Sequence, residues 1–445
     1  MDFSIKELAE ITNAKILKNE IDESLCFEIS TDTRTINEKN VFLPIVGQNF
    51  DGHDFIEKAI ENGALGYFTS KSIISSKVKF VLLVKDTLIA YLTIAKYYKD
   101  KVHPITVAIT GSVGKTTTKE MAYAVFSQKY KTHKSALNHN NEIGLAQTLL
   151  SMSEDTQALI IEMGMRGLGE IELLSKFTEP DIAIITNIGS AHIGRLGSKE
   201  NIARAKFEIT KYLKPNGILI ANKNNLLENI NNIKEKTIEF SLNSNDVEFI
   251  EMTAEYSIFK YKNKQYRLNL PGDYNVQNSL AIVEAAKYFK ISEKDIAKGL
   301  SEFKSIQNRW QIENYKGANI INDSYNANPE SMIAAINNFL TLYKGRKILV
   351  LGDMGELGKD EILLHKEIGK KLHTMDFDIL LTVGILSKNI SDANSEKSKH
   401  FSDKKSCTTY LSNNLKAGDQ VFIKGSRVME LDKIITDLKE LRRKE

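Results

Sequence analysis

One segment limits the folds open to this chain more than any other: Ile105-Thr106-Val107-Ala108-Ile109-Thr110-Gly111-Ser112-Val113-Gly114-Lys115-Thr116-Thr117. Its first five residues are a short apolar run enriched in β-branched side chains, which predicts a buried strand. Residues 115–126 read as a helix, and a glycine-containing turn joins the two. Gly111 and Gly114 let backbone N–H groups turn inward, and the helix N-terminus adds partial positive charge, so the turn can cradle an anion. Lys115 supplies a point charge for β- and γ-phosphates, and the Thr116 hydroxyl is the expected magnesium ligand. Ser112, Val113 and Thr117 complete a candidate nucleotide-binding loop. Ile109 stands where the general motif has glycine, five positions before Gly114, which sets this loop apart from the motor-protein and small-GTPase versions.

The same alternation of strand and helix recurs on both sides of the loop. Residues 158–161 and 181–185 are two further buried strands with helical segments between, which implies βαβ units and a parallel sheet. Residues 246–270 alternate polar and apolar side chains, with a turn at Asn263-Lys264, and predict a small antiparallel insertion. After Asn308-Arg309-Trp310 four strands are expected, at 319–321, 348–351, 379–383 and 420–423. Each is followed by turn residues: Asp323, Gly352-Asp353, Gly384 and Gly425-Ser426. The first 84 residues mix a strand at 41–45 with a helix at 54–63, and a helical linker at 87–98 leads to Pro104. The expected fold is α/β in three domains: a small N-terminal α/β domain (1–84), a central parallel-sheet domain carrying the loop (85–308) and a C-terminal Rossmann-like domain (309–445). A length of 445 residues suits that division, at roughly 150 residues per domain.

Composition narrows the function classes. A formal net charge of +3, from 60 basic and 57 acidic residues, gives no dominant positive field and argues against a dedicated nucleic-acid binder. The basic run Leu441-Arg442-Arg443-Lys444 reads as a solvated tail. Cys26 and Cys407 have no metal-ligand spacing and no disulfide framework, and are expected to be buried or inert thiols. No signal pattern opens the sequence, and no apolar run approaches the roughly 18 residues of a membrane span. A reducing cytoplasm is the expected compartment.

Two further residues stand where a nucleotide site would need them. Glu162 ends the strand beside the loop strand, where a carboxylate can hold magnesium opposite Thr116; the bland reading is a capping or surface glutamate. His192 follows the next strand, beyond the carboxyl end, where open parallel sheets bind ligands; a lone histidine is otherwise structural or exposed. Lys206, in Ala203-Arg204-Ala205-Lys206, reads by itself as a solvated helix lysine.

Taken together, Thr110-Gly111-Ser112-Val113-Gly114-Lys115-Thr116-Thr117, Glu162-Met163-Gly164, Asn187-Ile188-Gly189-Ser190-Ala191-His192 and Ala205-Lys206 resemble the Mur ligases of bacterial cell-wall synthesis. Residues 323–332 (Asp-Ser-Tyr-Asn-Ala-Asn-Pro-Glu-Ser-Met), residues 351–358 (Leu-Gly-Asp-Met-Gly-Glu-Leu-Gly) with His365, and Lys424-Gly425-Ser426-Arg427 resemble the branch that uses D-alanyl-D-alanine. The resemblance spans essentially the whole chain. It implies an N-terminal UDP-sugar domain, a central ATPase domain and a C-terminal ligase domain. The reaction it implies is ATP-dependent joining of D-Ala-D-Ala to UDP-MurNAc-tripeptide, yielding ADP, phosphate and the pentapeptide precursor of peptidoglycan.

The resemblance also implies roles. Lys115, His192 and Lys206 would be catalytic. Two magnesium ions would be held among Thr116, Glu162, His192 and Lys206, with Lys206 carbamylated by carbon dioxide to an anionic ligand. Asn278 would contact adenine, and Arg309 and Asp323 the rest of the nucleotide. Thr33 and Arg34, in Ser30-Thr31-Asp32-Thr33-Arg34, and His53, in Phe50-Asp51-Gly52-His53, match UDP-sugar motifs. Asn138, Asn140 and Asn141 match an asparagine cluster near the muramoyl group, and Asn326 and Asn328 are placed near the incoming dipeptide. The family commonly has serine for Thr33, glycine for Leu137 and a small residue for Pro44. A monomer suffices for all of this. Rivals are another peptide-type ligase, such as a folylpolyglutamate synthase or the Mur ligase that adds the third residue, and a nucleotide-gated binding protein or motor that uses ATP only to change shape. Tyr325-Asn326-Ala327-Asn328-Pro329 argues against the first group. The gathering of Glu162, His192 and Lys206 argues against the second.

Overall fold

The computed structural model describes residues 1–444 apart from residues 48, 73, 137–138 and 224–235. Three six-stranded sheets follow one another along the chain, with a three-stranded sheet inserted after the second.

The central sheet is parallel throughout, in the order Lys236–Phe240, Ile218–Asn222, Ile182–Ile185, Ile105–Thr110, Ala158–Glu162, Thr132–Lys134. Its middle strands are apolar on both sides because both sides are covered. Val107, Ile109 and Ile160 face a core shared with helices Lys115–Phe126 and Asp273–Tyr288, through Met121, Val125, Val276 and Leu280. Ala108, Leu159 and Ile161 face the opposite core, with Leu145, Leu149 and Leu174. The loop strand lies between Ala158–Glu162 and Ile182–Ile185. Connections leave it to either side, so a crevice opens beyond its carboxyl end.

The helix expected as a linker is a core element. It runs Thr87–Val102, is capped by Asp86, whose side chain accepts the Ile89 N–H at 3.0 Å, and stops where His103 takes a left-handed conformation before Pro104. Tyr91, Leu92, Ile94 and Ala95 are buried in one cluster with Phe80 and Leu82 of the first sheet and Leu145 and Leu149 of the central unit. Tyr98 donates its hydroxyl to Met152 O at 2.8 Å. The first sheet, ordered Phe3–Ser4, Cys26–Ser30, Asn40–Phe42, Gly66–Thr69, Phe80–Leu83, Lys15–Asn19, is parallel in its middle and antiparallel at both edges. Cys407 is buried, while Cys26, also a free thiol, is exposed at an outward position of a near-edge strand.

The antiparallel insertion is present as Val247–Met252, Ser257–Tyr261 and Lys264–Leu268. Its tight turn falls one residue earlier than expected, on Lys262 and Asn263, both with positive φ (48° and 63°). Two consecutive left-handed residues match the right-handed twist of the flanking strands.

The C-terminal sheet runs Gln311–Tyr315, Ala318–Asn322, Gln420–Lys424, Lys347–Gly352, Ile379–Val383, Ser398–Phe401. All pairings are parallel except the first. The four apolar strands are where the sequence put them. The two edges, Gln311–Tyr315 and Ser398–Phe401, are partly exposed and polar, and so carried no apolar run to read. The basic run at 441–444 is solvated as expected, with Leu441, Arg442 and Arg443 exposed. It ends a helix, Asp432–Lys444, whose Ile434 and Leu438 are buried against the sheet. Among the described residues no helix is long and apolar enough to cross a membrane.

Candidate active site

The phosphate loop is braced from the next strand's turn. Asn187 Oδ1 accepts the N–H groups of Ser112 and Val113 at 3.0 and 2.8 Å, Thr186 donates its hydroxyl to Val113 O at 2.7 Å, and Ser112 Oγ accepts the Gly189 N–H at 2.8 Å. At Gly111 the approach is closest: a Cβ there would lie 1.9 Å from Thr186 Oγ1. Lys115 donates to Gly111 O at 2.8 Å across the loop. Burial holds its pKa below the ordinary lysine value, the Arg309 cation acts in the same sense, and the Glu162 and Glu356 carboxylates oppose both. Thr186 and Asn187 had no assigned role in the sequence. The signal that could have found them is their place right after a buried strand next to the loop.

Glu162 ends its strand with its side chain buried, and Asn140 donates to its Oε1 at 3.1 Å. Behind it lies Lys119, fully buried one helical turn beyond Lys115. Its ammonium donates to Ser135 O at 2.9 Å and stands 3.2 Å from Glu120 and 4.0 Å from Glu162. His192 takes a left-handed conformation (φ 67°), and its Nδ1 lies 2.7 Å from Glu356 Oε2, close enough to pair but not aligned as a hydrogen bond. That pairing holds the Glu356 carboxyl below the usual range. Lys206 is 1 % exposed and makes no ion pair among the described residues. Burial pushes its pKa far down, and the nearby Lys115 cation adds to the effect. It is therefore not the solvated helix lysine that its bare sequence context suggests.

A cavity of about 630 Å³ lies over the loop, and both the central and the C-terminal units line it. Asn308 and Trp310 are both left-handed (φ 60° and 52°), which turns Arg309 between them into the central site. Arg309 Nη2 donates to Thr116 Oγ1 at 3.0 Å, and its guanidinium stacks 4.1 Å from the Tyr325 ring centroid. Asp323 lines the cavity and pairs with Lys424 at 2.5 Å. Lys424 also donates to Asn326 O at 3.1 Å. Glu330 accepts the backbone N–H of Ser190 at 2.9 Å and its hydroxyl at 2.5 Å, tying the two units together. His365 is buried away from the cavity. Its Nε2 accepts the Met354 N–H at 2.9 Å, and its Nδ1 lies 2.6 Å from Glu361 O, so it shapes the turn that presents Glu356.

The other expected site residues are spread more widely. Asn141 lines the cavity and caps helix Glu142–Leu150, accepting the Gly144 N–H at 2.9 Å; Asn138 lies outside the described residues. Asn328 also lines the cavity while its Oδ1 caps helix Pro329–Leu342, and Asn326 Oδ1 accepts the Ala327 N–H at 2.9 Å. Asn278 does not line the cavity. Its amide packs under the loop, where a Cβ on Gly114 would meet Nδ2 at 2.5 Å, and Tyr274 and Asn275 of the same helix line the cavity instead. The N-terminal motifs stand apart from it. Arg34 is exposed and pairs with Asp32 at 2.7 Å, which lowers the Asp32 pKa to about 2. Thr33 O accepts from the Asn62 amide at 2.7 Å. His53 is buried, with Nδ1 2.6 Å from Asp51 and Nε2 accepting the Ser70 N–H at 3.0 Å. A second cavity, of about 360 Å³, opens beside Ser30, Thr31 and Asp32, against Gln147 and Ser151 of the central unit.

A phosphate loop at the switch point of a parallel sheet, covered by a second Rossmann-like unit that sends an arginine onto it, is the architecture of a nucleotide-dependent ligase. Three family models match in succession: the Mur ligase family catalytic domain over residues 28–99, the Mur ligase middle domain over 109–286, and the Mur ligase glutamate ligase domain over 308–427. The chain belongs to the Mur ligase family. Within it, the chain groups with the UDP-N-acetylmuramoyl-tripeptide–D-alanyl-D-alanine ligases, MurF. It is 38% identical to that of Bacillus subtilis, over 98% of both chains, and 33% identical to that of Escherichia coli, again over 98% of both. Among solved structures it is similar to MurF from Acinetobacter baumannii, with a TM-score of 0.93 and 29% identity over 99% of both chains. It is also similar to the MurF ligase of Thermotoga maritima in complex with ADP, with a TM-score of 0.84 and 26% identity over 94% of this chain and 99% of that one.

Proposed function

We propose that this protein joins D-alanyl-D-alanine to UDP-N-acetylmuramoyl-tripeptide at the expense of ATP, through an acyl phosphate, forming the pentapeptide precursor of peptidoglycan in the cytoplasm. The observation that carries this reading is the closed cleft, in which the phosphate loop and the Asp323–Met332 and Lys424–Arg427 motifs line a single cavity. The full-length similarity to ligases of that name, one of them solved with ADP, supports it.

A carboxylate is a poor electrophile. Transfer of the γ-phosphoryl group to it forms a carboxyl O–P bond and releases ADP. The amine then attacks the carbonyl carbon, the C–O bond to phosphate breaks, and the amine loses its proton. The chain's own residues act by placement and charge, with no covalent enzyme intermediate. The loop amides and Lys115 hold the β- and γ-phosphates. Arg309 and Asp323 reach the nucleotide from the C-terminal unit, and closure of that unit keeps water from the acyl phosphate.

The residues present fit magnesium. Among the described residues no three His, Cys, Asp or Glu side chains cluster, but Thr116, Glu162, His192 and a carbamylated Lys206 would supply hydroxyl, carboxylate, imidazole and carbamate donors. Magnesium bound there would neutralise phosphate charge. A buried amine without a carboxylate partner suits carbamylation, in which a neutral amine adds carbon dioxide and releases a proton, converting an unpaired buried cation into an anion. Phosphate release by the purified protein tests the ligase reading. It should depend on D-Ala-D-Ala and yield the UDP-MurNAc-pentapeptide. Equal ATP cleavage without the dipeptide, or no pentapeptide product, would overturn it.

A further inference from the structure

The amine substrate of the proposed reaction is a zwitterion, so its own carboxylate enters a cleft already crowded with phosphate charge and has to be held apart from it. Resting on that reading, we propose that Ser426, Arg427 and Val428 form the seat for the terminal carboxylate and last methyl group of D-alanyl-D-alanine.

Three cations of the cleft are already committed to partners. Lys115 donates to Gly111 O at 2.8 Å, Arg309 to Thr116 at 3.0 Å, and Lys424 pairs with Asp323 at 2.5 Å. Arg427 lines the same cavity, is exposed, and has no carboxylate partner among the described residues. Its guanidinium lies 5.9 Å from the Tyr325 ring centroid, while Arg309 stacks on that ring at 4.1 Å. Tyr325 thus separates a guanidinium directed at the phosphate loop from one left free on the cleft wall. Arg166, the other guanidinium in the cavity without an ion-pair partner among the described residues, belongs to the central unit, where its backbone N–H donates to Glu170 at 2.7 Å and its charge helps hold the Glu356 carboxyl low.

The neighbours of Arg427 complete an anion site of the right chemistry. Ser426 is 3 % exposed and lines the cavity, yet its Oγ has no hydrogen-bond partner among the described residues. An unpaired buried hydroxyl is disfavoured unless a ligand satisfies it. A carboxylate accepting from that O–H and from the guanidinium makes two charge-assisted bonds. Val428 lines the cavity with 83 % of its surface exposed, an apolar side chain of the size to meet a methyl group. Asn326 and Asn328 bring only neutral amide donors to the same wall, their side-chain oxygens accepting backbone N–H groups, whereas Arg427 brings a charge.

The test compares D-Ala-D-Ala with its C-terminal amide, which keeps the nucleophile and removes the charge. The wild-type protein should show a KM for the amide roughly 10- to 100-fold above that for the acid. Arg427→Gln should raise the KM for the acid into the same range and erase the discrimination, leaving the KM values for ATP and the UDP precursor unchanged. Arg427→Lys should restore part of the discrimination, and Ser426→Ala should lower it. Persistence of the acid–amide ratio in Arg427→Gln, or a rise confined to the KM for ATP, would overturn the assignment. If the wild-type protein makes no pentapeptide with D-Ala-D-Ala, the ligase reading fails and this one with it. If it makes pentapeptide and the ratio persists in Arg427→Gln, only the carboxylate seat fails.

Discussion

A methyl group on Gly111 would sit 1.9 Å from the Thr186 hydroxyl, inside the contact that ties the phosphate loop to the neighbouring strand. Gly111→Ala therefore has to push Thr186 away, with its 2.7 Å bond to Val113 O, and with it the amides that face the phosphates. The expected result is a loss of at least about tenfold in ATP affinity by calorimetric titration, about 1.4 kcal/mol, with an unchanged circular dichroism spectrum. Lys206 presents the opposite situation, a side chain whose charge rather than its bulk is out of place. Lys206→Ala should lower turnover by about 10- to 100-fold, the scale of a lost metal ligand or its support. A short carboxylic acid that fits the vacated space should recover part of it. Undiminished turnover in the variant would remove Lys206 from the mechanism, and loss without rescue would argue against a carbamate.

Secondary elements were legible where burial wrote a pattern into them. The strand Ile105–Thr110 and the four apolar strands of the C-terminal sheet are covered on both faces, so each is a continuous apolar run. Edge strands have no such requirement, and Ser398–Phe401 left no signal for that reason. The Thr87–Val102 helix was visible as a helix. Its packing was not, because the cluster it completes is drawn from two units. His365 belongs to this scale as well. Its motif pointed to function, yet it is a buried brace that accepts the Met354 N–H and shapes the turn before Glu356. Burial lowers its pKa below 6.5, against a smaller opposing effect of its bond with Glu361 O. The unfolded chain therefore takes up the proton first as pH falls below about 6.5, and folding stability drops with it. His133 and His400 shift in the same direction and add to the slope. His365→Gln should thus lose one share of the stability decline that sets in as pH falls below about 6.5. Urea-unfolding midpoints across that range would show it, and parallel curves for wild type and variant would contradict it.

At the scale of the whole molecule, the site exists only where two units meet. Glu330 grips Ser190, Glu356 reaches His192, and the backbones of Gly194 and Gly358 touch. A Cβ on Gly194 would lie 2.4 Å from Gly358 N, and Gly194 itself is in a short helix that accepts alanine readily. Gly194→Ala should keep the phosphate loop's own hold on ATP, lose the share supplied by Arg309 and Asp323, and lower pentapeptide formation by at least about tenfold, as expected when closure completes a catalytic set. Small-angle scattering should show a more open average shape. Wild-type turnover in this variant would mean that the contact is incidental to closure.

The sequence by itself determined the phosphate loop, the parallel sheets around it and the family. Those features rest on local causes: apolar runs that must be buried, glycines at a turn, and motifs whose residues stand close together in the chain. It could not determine that Asn187 braces the loop, that Lys119 stands behind Glu162, or that, among the described residues, Lys206 has no counter-charge, the Ser426 hydroxyl no hydrogen-bond partner and Arg427 no carboxylate partner. Each of these depends on what a side chain meets after residues tens to hundreds of positions away have folded against it. Burial and the presence or absence of a partner are properties of that meeting, and only the tertiary structure decides them.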